Sequence, residues 1–249
     1  MISKLKAYLK TSRLLAAFGA AILLAGCSIK TKNLNTAEGT LIEAHRLMKD
    51  EFYEEARNQF QRIKTEFPTS PLQLQASIGV ADSYYEDEAY PAAATAYEDF
   101  VKTYPGRDEA PYALYRLGMS FAQQIPDEYE RDSRTTEKAR DIFSRLLVDY
   151  PNSQYKEDAL KRVKEAEDRL ARKSFSIAAF YDKMKQHLAA AIRYDEMLNA
   201  YPEHPLAEEA MARRVVMLRK TDKKEEAEAA TEKFKQRFPD SKFKSMMAP

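Results

Sequence analysis

The side chains that most often carry out chemistry are few in this 249-residue sequence. The three histidines, His45, His187 and His204, have neither the spacing of metal ligands nor a cysteine partner. Adjacent glutamates such as Glu54 and Glu55 follow the spacing of solvated helix faces. The sequence contains no phosphate-binding loop and no turn of the kind that presents a catalytic serine. We therefore expect a binding protein with no catalytic residue, metal or cofactor. The rival class, an enzyme such as a cell-wall hydrolase, would need a His or carboxylate constellation.

The only cysteine, Cys27, lies at the end of a segment with a three-part pattern. Residues 1–13 carry four Lys or Arg and no acidic residue, and residues 14–24 read LLAAFGAAILL. Eleven apolar residues form a helix of about 16 Å, which is too short to cross a hydrocarbon core of about 30 Å. The pattern is therefore typical of a signal peptide, residues 1–26, that directs export.

Small residues directly before Cys27 complete the sequence LAGC, which resembles the bacterial lipobox. That resemblance implies cleavage before Cys27 and acylation of its thiol and its new amine. Each buried CH2 contributes about 0.8 kcal/mol, so several acyl chains on one residue would form a stable anchor. Ser28 favours the outer membrane by analogy with this class. The prediction is a protein anchored in the inner leaflet of the outer membrane, on its periplasmic face. The alternative is an ordinary signal peptide with a chance cysteine.

Cleavage before Cys27 would leave 36 Lys and Arg against 39 Asp and Glu. This balance does not indicate nucleic-acid binding, which requires a basic surface. A single cysteine also forms no internal disulfide. Residues 27–36 comprise the acylated cysteine and the polar stretch SIKTKNLNT, which we interpret as a flexible tether. The alternative is an ordered arm that lies on the folded body.

The remaining chain, residues 37–249, repeats an aromatic–proline pair. The five pairs begin at Phe67, Tyr104, Tyr150, Tyr201 and Phe238. Because proline cannot continue a helix, each pair predicts a helix end. Ser70, Ser153 and His204 follow three of these pairs and are predicted to cap the next helix.

Small and aromatic residues recur at fixed distances before each proline. Twelve residues before it lie Ala56, Ala93, Ala139, Ala190 and Ala227, and eight residues before it lie Phe60, Tyr97, Phe143, Tyr194 and Thr231. A further small position is filled by Ala44, Ala81, Ala178 and Val215, and by Gly118 if the third unit has nine extra residues. Small residues allow two helices to approach closely, and the aromatic residues fill the space to the next pair.

This pattern resembles the tetratricopeptide repeat (TPR), a pair of antiparallel helices in about 34 residues. We predict an all-α fold, a right-handed α-solenoid of about five TPR-like helix pairs. The predicted repeats are residues 37–69, 70–106, 107–152, 153–203 and 204–243. Two insertions interrupt the period. The first, Gln123–Arg134, joins the two helices of the third pair. The second, Tyr155–Leu170, lengthens the helix that leads into the fourth pair, and its charged residues either form a solvated face or contact a partner.

In such solenoids the first helix of each pair lines the concave surface. The register predicts a peptide groove lined by Leu41, His45, Met48, Ile78, Asp82, Tyr85, Glu86, Tyr112, Tyr115 and Met119. Aromatic and methionine side chains suit a short peptide with aromatic anchors. The alternative is that these tyrosines pack between repeats.

Residues 130–162, ERDSRTTEKARDIFSRLLVDYPNSQYKEDALKR, carry a more specific resemblance. An Arg131-Asp132 loop, Ala139, Phe143 and the stretch Tyr150–Ser153 are similar to the BamD family of repeat lipoproteins. That family belongs to the outer-membrane β-barrel assembly (BAM) machine. The similarity continues through RLARKSFSIAAFY, residues 169–181. The chain departs from the family at Ser174, where an acidic residue is usual, and near Lys185, where a glycine turn is frequent.

The resemblance implies a scaffold without an enzymatic step. It implies that the C-terminal half binds the periplasmic domains of a BamA-like barrel subunit, and that other BAM lipoproteins are partners. It also implies that the N-terminal half recognises the C-terminal targeting strand of unfolded outer-membrane proteins. An arginine occupies the position of Arg193 in that family, so Arg193 is the candidate contact to BamA. The alternative is a solvated arginine paired with Glu196.

A second binding role remains open at this point. Periplasmic TPR lipoproteins also coordinate envelope constriction or peptidoglycan synthesis. Such proteins often carry a coiled-coil segment before their repeats, whereas only a short tether precedes Ala37 here.

Overall fold

The structure is a computed structural model that describes residues 35–127 and 133–247. Within these residues it contains ten α-helices, one 3-10 helix and no strand, so the all-α prediction is confirmed. The α-helices are α1 (Ala37–Lys49), α2 (Tyr53–Glu66), α3 (Gln73–Glu86), α4 (Tyr90–Thr103), α5 (Ala110–Ala122), α6 (Arg134–Asp149), α7 (Lys156–Lys183), α8 (His187–Ala200), α9 (Ala207–Arg219) and α10 (Lys224–Arg237). The 3-10 helix is Lys242–Met247. The predictions about residues 1–34, Cys27 included, and about Arg131-Asp132 lie outside the described residues.

The aromatic–proline pairs lie at helix ends, as predicted. Phe67, Tyr104, Tyr150, Tyr201 and Phe238 are the residues that directly follow α2, α4, α6, α8 and α10. In each of them the backbone N–H still donates to the carbonyl four residues earlier, and the next residue, proline, stops the helix. The repeated pair therefore sets the end of every second helix.

The predicted helix caps act one turn earlier than expected. Ser70 Oγ accepts a hydrogen bond from Leu72 N at 3.2 Å, although α3 begins only at Gln73. Ser153 Oγ accepts from Tyr155 N at 3.2 Å. The side chain of His204 takes the same place, since its Nδ1 accepts from Leu206 N at 3.1 Å. These three residues therefore hold the tight turn after proline rather than the first N–H groups of the helix.

Three turns place a residue with a side chain in left-handed backbone geometry. Glu51, Glu88 and Lys185 have φ angles of 64°, 55° and 59°. They lie in the short connections α1–α2, α3–α4 and α7–α8. Glycine is favoured in this region because it has no Cβ, so the glycine turn expected near Lys185 is formed here without a glycine.

The chain divides into two compact units, with the boundary between Ala76 and Ser77 inside α3. In the first unit, α1 packs against α2, and Ala44, Ala56, Phe60 and Ile63 are buried. In the second unit, each helix from α4 to α10 packs against the next, and the 3-10 helix packs against α9. This sequential packing is the arrangement expected of stacked helix pairs. The single repeat domain 37–249 and the five repeat boundaries stay predictions.

The buried residues follow the predicted register. All of the small residues and aromatics at the repeated positions are buried, including Thr231, which replaces an aromatic in the last repeat. Gly118 occupies the small position of the third repeat, because a Cβ there would lie only 2.7 Å from Cε1 of Phe143. The insertion predicted for this repeat falls between the end of α5 at Ala122 and the start of α6 at Arg134.

The longest of the described helices, α7, contains the second insertion. It spans 28 residues without interruption, from the predicted extension into the first helix of the next pair. Its charges mostly pair along the helix: Arg162 Nε lies 3.3 Å from Asp158, and Arg172 Nε lies 2.7 Å from Asp168. In the part of the chain that the structure describes, no helix is both long and apolar enough to cross a membrane.

Candidate tyrosine cluster and partner surface

Three of the predicted groove residues lie on α1, in the first unit. Leu41 and Met48 are half-buried, and His45 is exposed. The His45 ring packs edge-on against Phe60, with 5.5 Å between ring centroids. His45 is thus an aromatic packing partner at the helix surface.

The second unit brings other predicted groove residues together around Asp82 of α3. Tyr97 donates its hydroxyl hydrogen to Asp82 Oδ1 at 2.5 Å, and Tyr112 donates to the same oxygen at 2.7 Å. Arg116 Nε donates to the Tyr97 hydroxyl oxygen at 3.1 Å. The result is a continuous hydrogen-bonded chain from α3 through α4 to α5.

The guanidinium of Arg116 is held from two further sides. Its centre lies 3.6 Å from the centroid of the Tyr85 ring, a cation–π stacking distance. One of its terminal nitrogens lies 2.5 Å from Glu86 Oε1, at the C-terminal end of α3. Arg116 is mostly enclosed, whereas the Glu86 side chain is nearly half exposed. We call Asp82, Tyr85, Tyr97, Tyr112, Tyr115 and Arg116 the tyrosine cluster.

Burial controls the protonation behaviour of this cluster. It raises the pKa of Asp82 above the ordinary value of a carboxyl group, although the hydroxyl donors of Tyr97 and Tyr112 and the charge of Arg116 act in the opposite direction. Burial and the nearby Asp82 carboxylate also raise the pKa of the Tyr97 and Tyr112 phenols. The phenols therefore stay protonated and remain hydrogen-bond donors at neutral pH.

Tyr115 extends the cluster toward α7. Its ring stacks on Tyr155, with a centroid distance of 4.6 Å and an interplanar angle of 15°. Its hydroxyl donates to Asp158 Oδ2 at 2.8 Å. Burial, followed by this bond to Asp158, raises the pKa of Tyr115 to about 12. The hydroxyl groups of Tyr112 and Tyr115 thus bond to helices of the neighbouring predicted repeats, as the alternative interpretation of packing between repeats expects.

Of the remaining groove candidates, Ile78 and Met119 are half-buried on α3 and α5. Sequence reasoning missed Arg116, the Tyr97 hydroxyl and Tyr155. A signal for Arg116 was present, since it lies four residues after Tyr112 on one face of α5. Within the described residues, no group of three or more His, Cys, Asp or Glu side chains is arranged to hold a metal ion.

Arg193 lies on α8 with its side chain about half exposed. Its Nη1 donates to Glu196 Oε2 at 2.7 Å, which is the ion pair that the alternative interpretation expects. Its guanidinium carbon also lies 5.9 Å from the centroid of the Tyr181 ring. Arg193 is therefore paired with Glu196 on its own helix, lies near Tyr181 of α7 and remains accessible.

Exposed apolar side chains surround the turn that joins α7 to α8. They are Ile177, Phe180 and Met184 at the end of α7, and Leu188 and Ile192 near the start of α8. Phe180 is 58% exposed and Ile192 is 51% exposed, although both helices pack against each other. Lys173, Ser176, Ile177, Phe180 and Tyr181 line a depression of about 350 Å³. We call the five apolar residues and Arg193 the α7–α8 surface.

Comparison with known proteins identifies the family. A family model described as "YfiO: Outer membrane lipoprotein" matches residues 40–234. The "Outer membrane protein assembly factor BamD" of Xylella fastidiosa (strain Temecula1) is 30% identical over 213 residues, covering 80% of this chain and 71% of that protein. The protein of the same name from Haemophilus influenzae is 30% identical over 200 residues, covering 76% of both chains.

A third relative, the protein of that name from Neisseria gonorrhoeae, is 28% identical over 217 residues, covering 84% of this chain and 81% of that protein. Among solved structures, the TPR2AB-domain complex of yeast Sti1 matches at a TM-score of 0.42 and 18% identity, covering 82% of this chain and 78% of that chain. The structural match is too weak to support a conclusion, and the sequence matches alone establish that this chain belongs to the YfiO/BamD family.

Proposed function

We propose that this chain is a non-enzymatic scaffold and client-recognition lipoprotein of the outer-membrane β-barrel assembly machinery. Family membership supports this role, because the relatives are named as outer membrane protein assembly factors. The lipobox-like sequence at Cys27 supports an acyl anchor in the inner leaflet of the outer membrane. In this arrangement the folded part faces the periplasm and works through protein contacts.

The tyrosine cluster is the observation that carries the client-recognition role. It presents the half-buried rings of Tyr85, Tyr112 and Tyr115 beside the cation of Arg116. Tyrosine offers a large, rigid contact area at low entropic cost, together with a polar edge. The targeting strand of an unfolded outer-membrane protein is extended, amphipathic and ends in an aromatic residue. Such a strand matches both the aromatic and the polar character of the cluster.

The α7–α8 surface supports a second binding site, for the periplasmic domains of a BamA-like barrel subunit. Exposed large apolar side chains cost solvation free energy unless a partner covers them, and neighbouring sets of them mark protein interfaces. Arg193 directly follows the exposed Ile192 in sequence. Its bond to Glu196 joins residues three apart on an exposed helix face, where such pairs contribute only about 0.2–0.5 kcal/mol. A partner carboxylate can therefore replace Glu196 at little cost and bind the planar guanidinium through two hydrogen bonds.

The test is affinity capture of the full-length, acylated protein from detergent-solubilised envelopes. We expect recovery of a barrel subunit with tandem periplasmic domains, together with other lipoproteins of the same machinery. Recovery of cell-division or peptidoglycan-synthesis proteins without a β-barrel partner would contradict the proposal. A Cys27→Ala protein provides the matched control for the anchor, since it should lose its association with outer-membrane fractions.

A further inference from the structure

The guanidinium of Arg116 is preorganised to receive an anion. Its Nε donates to the Tyr97 hydroxyl oxygen, and its central carbon lies 3.6 Å from the centroid of the Tyr85 ring. An arginine normally loses side-chain entropy when it binds a ligand, and much of that loss has already occurred here. The guanidinium is also mostly removed from water, which strengthens any charge–charge contact that it makes.

The two carboxylates near Arg116 are held in different ways. Asp82 is half-buried and accepts hydrogen bonds from two tyrosine hydroxyls, so it is fixed in the network. Glu86 belongs to the last turn of α3 and is nearly half exposed. Its bond to an Arg116 terminal nitrogen joins two different helices and requires an otherwise flexible side chain to stay ordered. Glu86 is therefore the carboxylate that a ligand can displace.

We propose that Arg116 is the carboxylate-binding subsite of the tyrosine cluster, and that it takes the free C-terminal carboxylate of an extended peptide ending in an aromatic residue. This inference rests on the proposed function, because it names the part of the client strand that the cluster recognises. In the bound state the terminal carboxylate replaces Glu86 on Arg116.

The aromatic surroundings select the residue that carries the carboxylate. The guanidinium centre lies 3.6 Å from the Tyr85 ring centroid and 5.9 Å from the Tyr112 ring centroid. The Tyr85 ring in turn packs edge-on against Tyr90 at 5.3 Å. A terminal aromatic side chain packs on these rings while its carboxylate meets Arg116. A terminal aliphatic residue would gain less from the same contact.

The experiment uses two ten-residue peptides of alternating apolar and polar residues that end in phenylalanine, one with a free carboxylate and one with an amide. Binding to the purified chain is measured by calorimetry. We expect the amide to bind roughly 10-fold more weakly, because it loses a charge-assisted hydrogen bond. A third peptide, amidated but with aspartate before the phenylalanine, separates a terminal carboxylate from a side-chain carboxylate and should bind like the amide.

Two variants test the roles of the two groups. Arg116→Gln should remove the difference between acid and amide. Glu86→Gln removes the internal competitor and should bind the acid peptide roughly 2- to 5-fold more tightly while leaving the amide unchanged. Arg145→Gln, which breaks an exposed pair with Asp149 on α6, is the matched control and should change neither affinity.

The outcomes separate this inference from the function on which it rests. Equal affinity for acid and amide in the wild type overturns the carboxylate subsite but leaves peptide recognition by the cluster standing. Equal tightening of both peptides by Glu86→Gln also overturns it, and this variant does not depend on the folding of Arg116→Gln. If neither peptide binds, the client-recognition function fails together with the subsite.

Discussion

The tyrosine cluster and the α7–α8 surface belong to the same compact unit but differ in character: the first is a network of polar contacts, and the second is a set of exposed apolar side chains. In the cluster, polar side chains are buried or half-buried and bonded to one another, so they have fixed positions before any ligand arrives. On the α7–α8 surface, large apolar side chains remain in water, and the cation among them pairs with Glu196 on its own helix and lies near the ring of Tyr181 on α7. The first is suited to recognising a small, specific group. The second is suited to burying area against a folded partner.

The largest expected effect is on partner binding at the α7–α8 surface. Phe180→Ala removes the most exposed ring there, and because that ring packs little in the free protein, the free energy of unfolding should change by less than about 0.5 kcal/mol. Affinity for BamA-like periplasmic domains should fall roughly 30-fold or more if Phe180 is an anchor of the interface. The matched control is Val148→Ala on α6, where the side chain is 78% exposed, and it should change neither quantity. Equal losses in both variants would contradict a localised surface.

Both regions belong to helices that pack through the same small repeated positions, so a larger side chain at such a position should lower the free energy of unfolding. Ala139→Leu on α6 and Ala190→Leu on α8 place a larger side chain in a fully packed helix contact. Each should lower the free energy of unfolding by about 1–3 kcal/mol, measured by urea denaturation. The exposed Ala229→Leu on α10 is the control and should be close to neutral. Unchanged stability in both core variants would contradict the repeat register.

Asp82 in the cluster is more buried than carboxylates on exposed helix faces, so the free energy of unfolding should depend on pH differently for the two kinds of carboxylate. The pKa of Asp82 is raised by burial, so its contribution to stability is greatest below about pH 4 and is lost as the pH rises through its folded-state pKa. Asp82→Asn has no such loss, so the variant should become more stable relative to wild type as pH rises from about 3.5 to 7.

Asp168 on α7 is the control, because its pKa is shifted in the opposite direction from that of Asp82. Its pKa is lowered, mainly by the hydrogen bond from Arg172 and also by His204, so its contribution is present above the ordinary carboxyl pKa and is lost as pH falls. Asp168→Asn should therefore become less stable relative to wild type as pH rises. Urea unfolding at several pH values measures both trends, and two variants with the same trend would contradict this assignment.

The smallest effect concerns the turns that precede the second helix in each region. Glu88 before α4 and Lys185 before α8 both have positive φ angles. Glycine adopts this geometry without Cβ strain, so Glu88→Gly and Lys185→Gly should each raise the free energy of unfolding by about 0.5–1 kcal/mol. Asp222→Gly in the turn before α10, which has no positive φ angle, should not be stabilising. A loss of stability in both turn variants would show that their side chains matter more than their backbone geometry.

The repeat register was predictable because it depends on local sterics repeated five times. Ala56 and its equivalents are small and buried, and Phe60 and its aromatic equivalents are buried as well, with Thr231 taking this position in the last repeat. Even Gly118 followed this rule, since only glycine leaves room for the Phe143 ring. Burial constrains residue type strongly, so such positions are visible in one sequence.

The polar contacts of the cluster were not predictable in the same way. Asp82 meets Tyr112 across 30 residues, and Arg116 meets Glu86 across the same separation. Which tyrosine hydroxyl reaches which carboxylate depends on rotamers and on the distance between helix pairs. The α7–α8 surface was missed for another reason, because Ile177, Phe180 and Met184 have the spacing of a buried helix face. The spacing of apolar residues alone does not distinguish a helix face buried in the core from an exposed face that binds another protein.

We expect the tyrosine cluster and the α7–α8 surface to bind different partners independently. The most direct test measures two affinities for the same purified chain, one for the phenylalanine-ended peptide and one for BamA-like periplasmic domains, in Arg116→Gln and Arg193→Glu. With melting temperatures close to wild type, we expect the two variants to affect different partners. Arg116→Gln should weaken only the peptide, and Arg193→Glu should weaken only the periplasmic domains. Equal weakening of both partners by either variant, or unchanged binding of the periplasmic domains by Arg193→Glu, would contradict independent binding at the two regions.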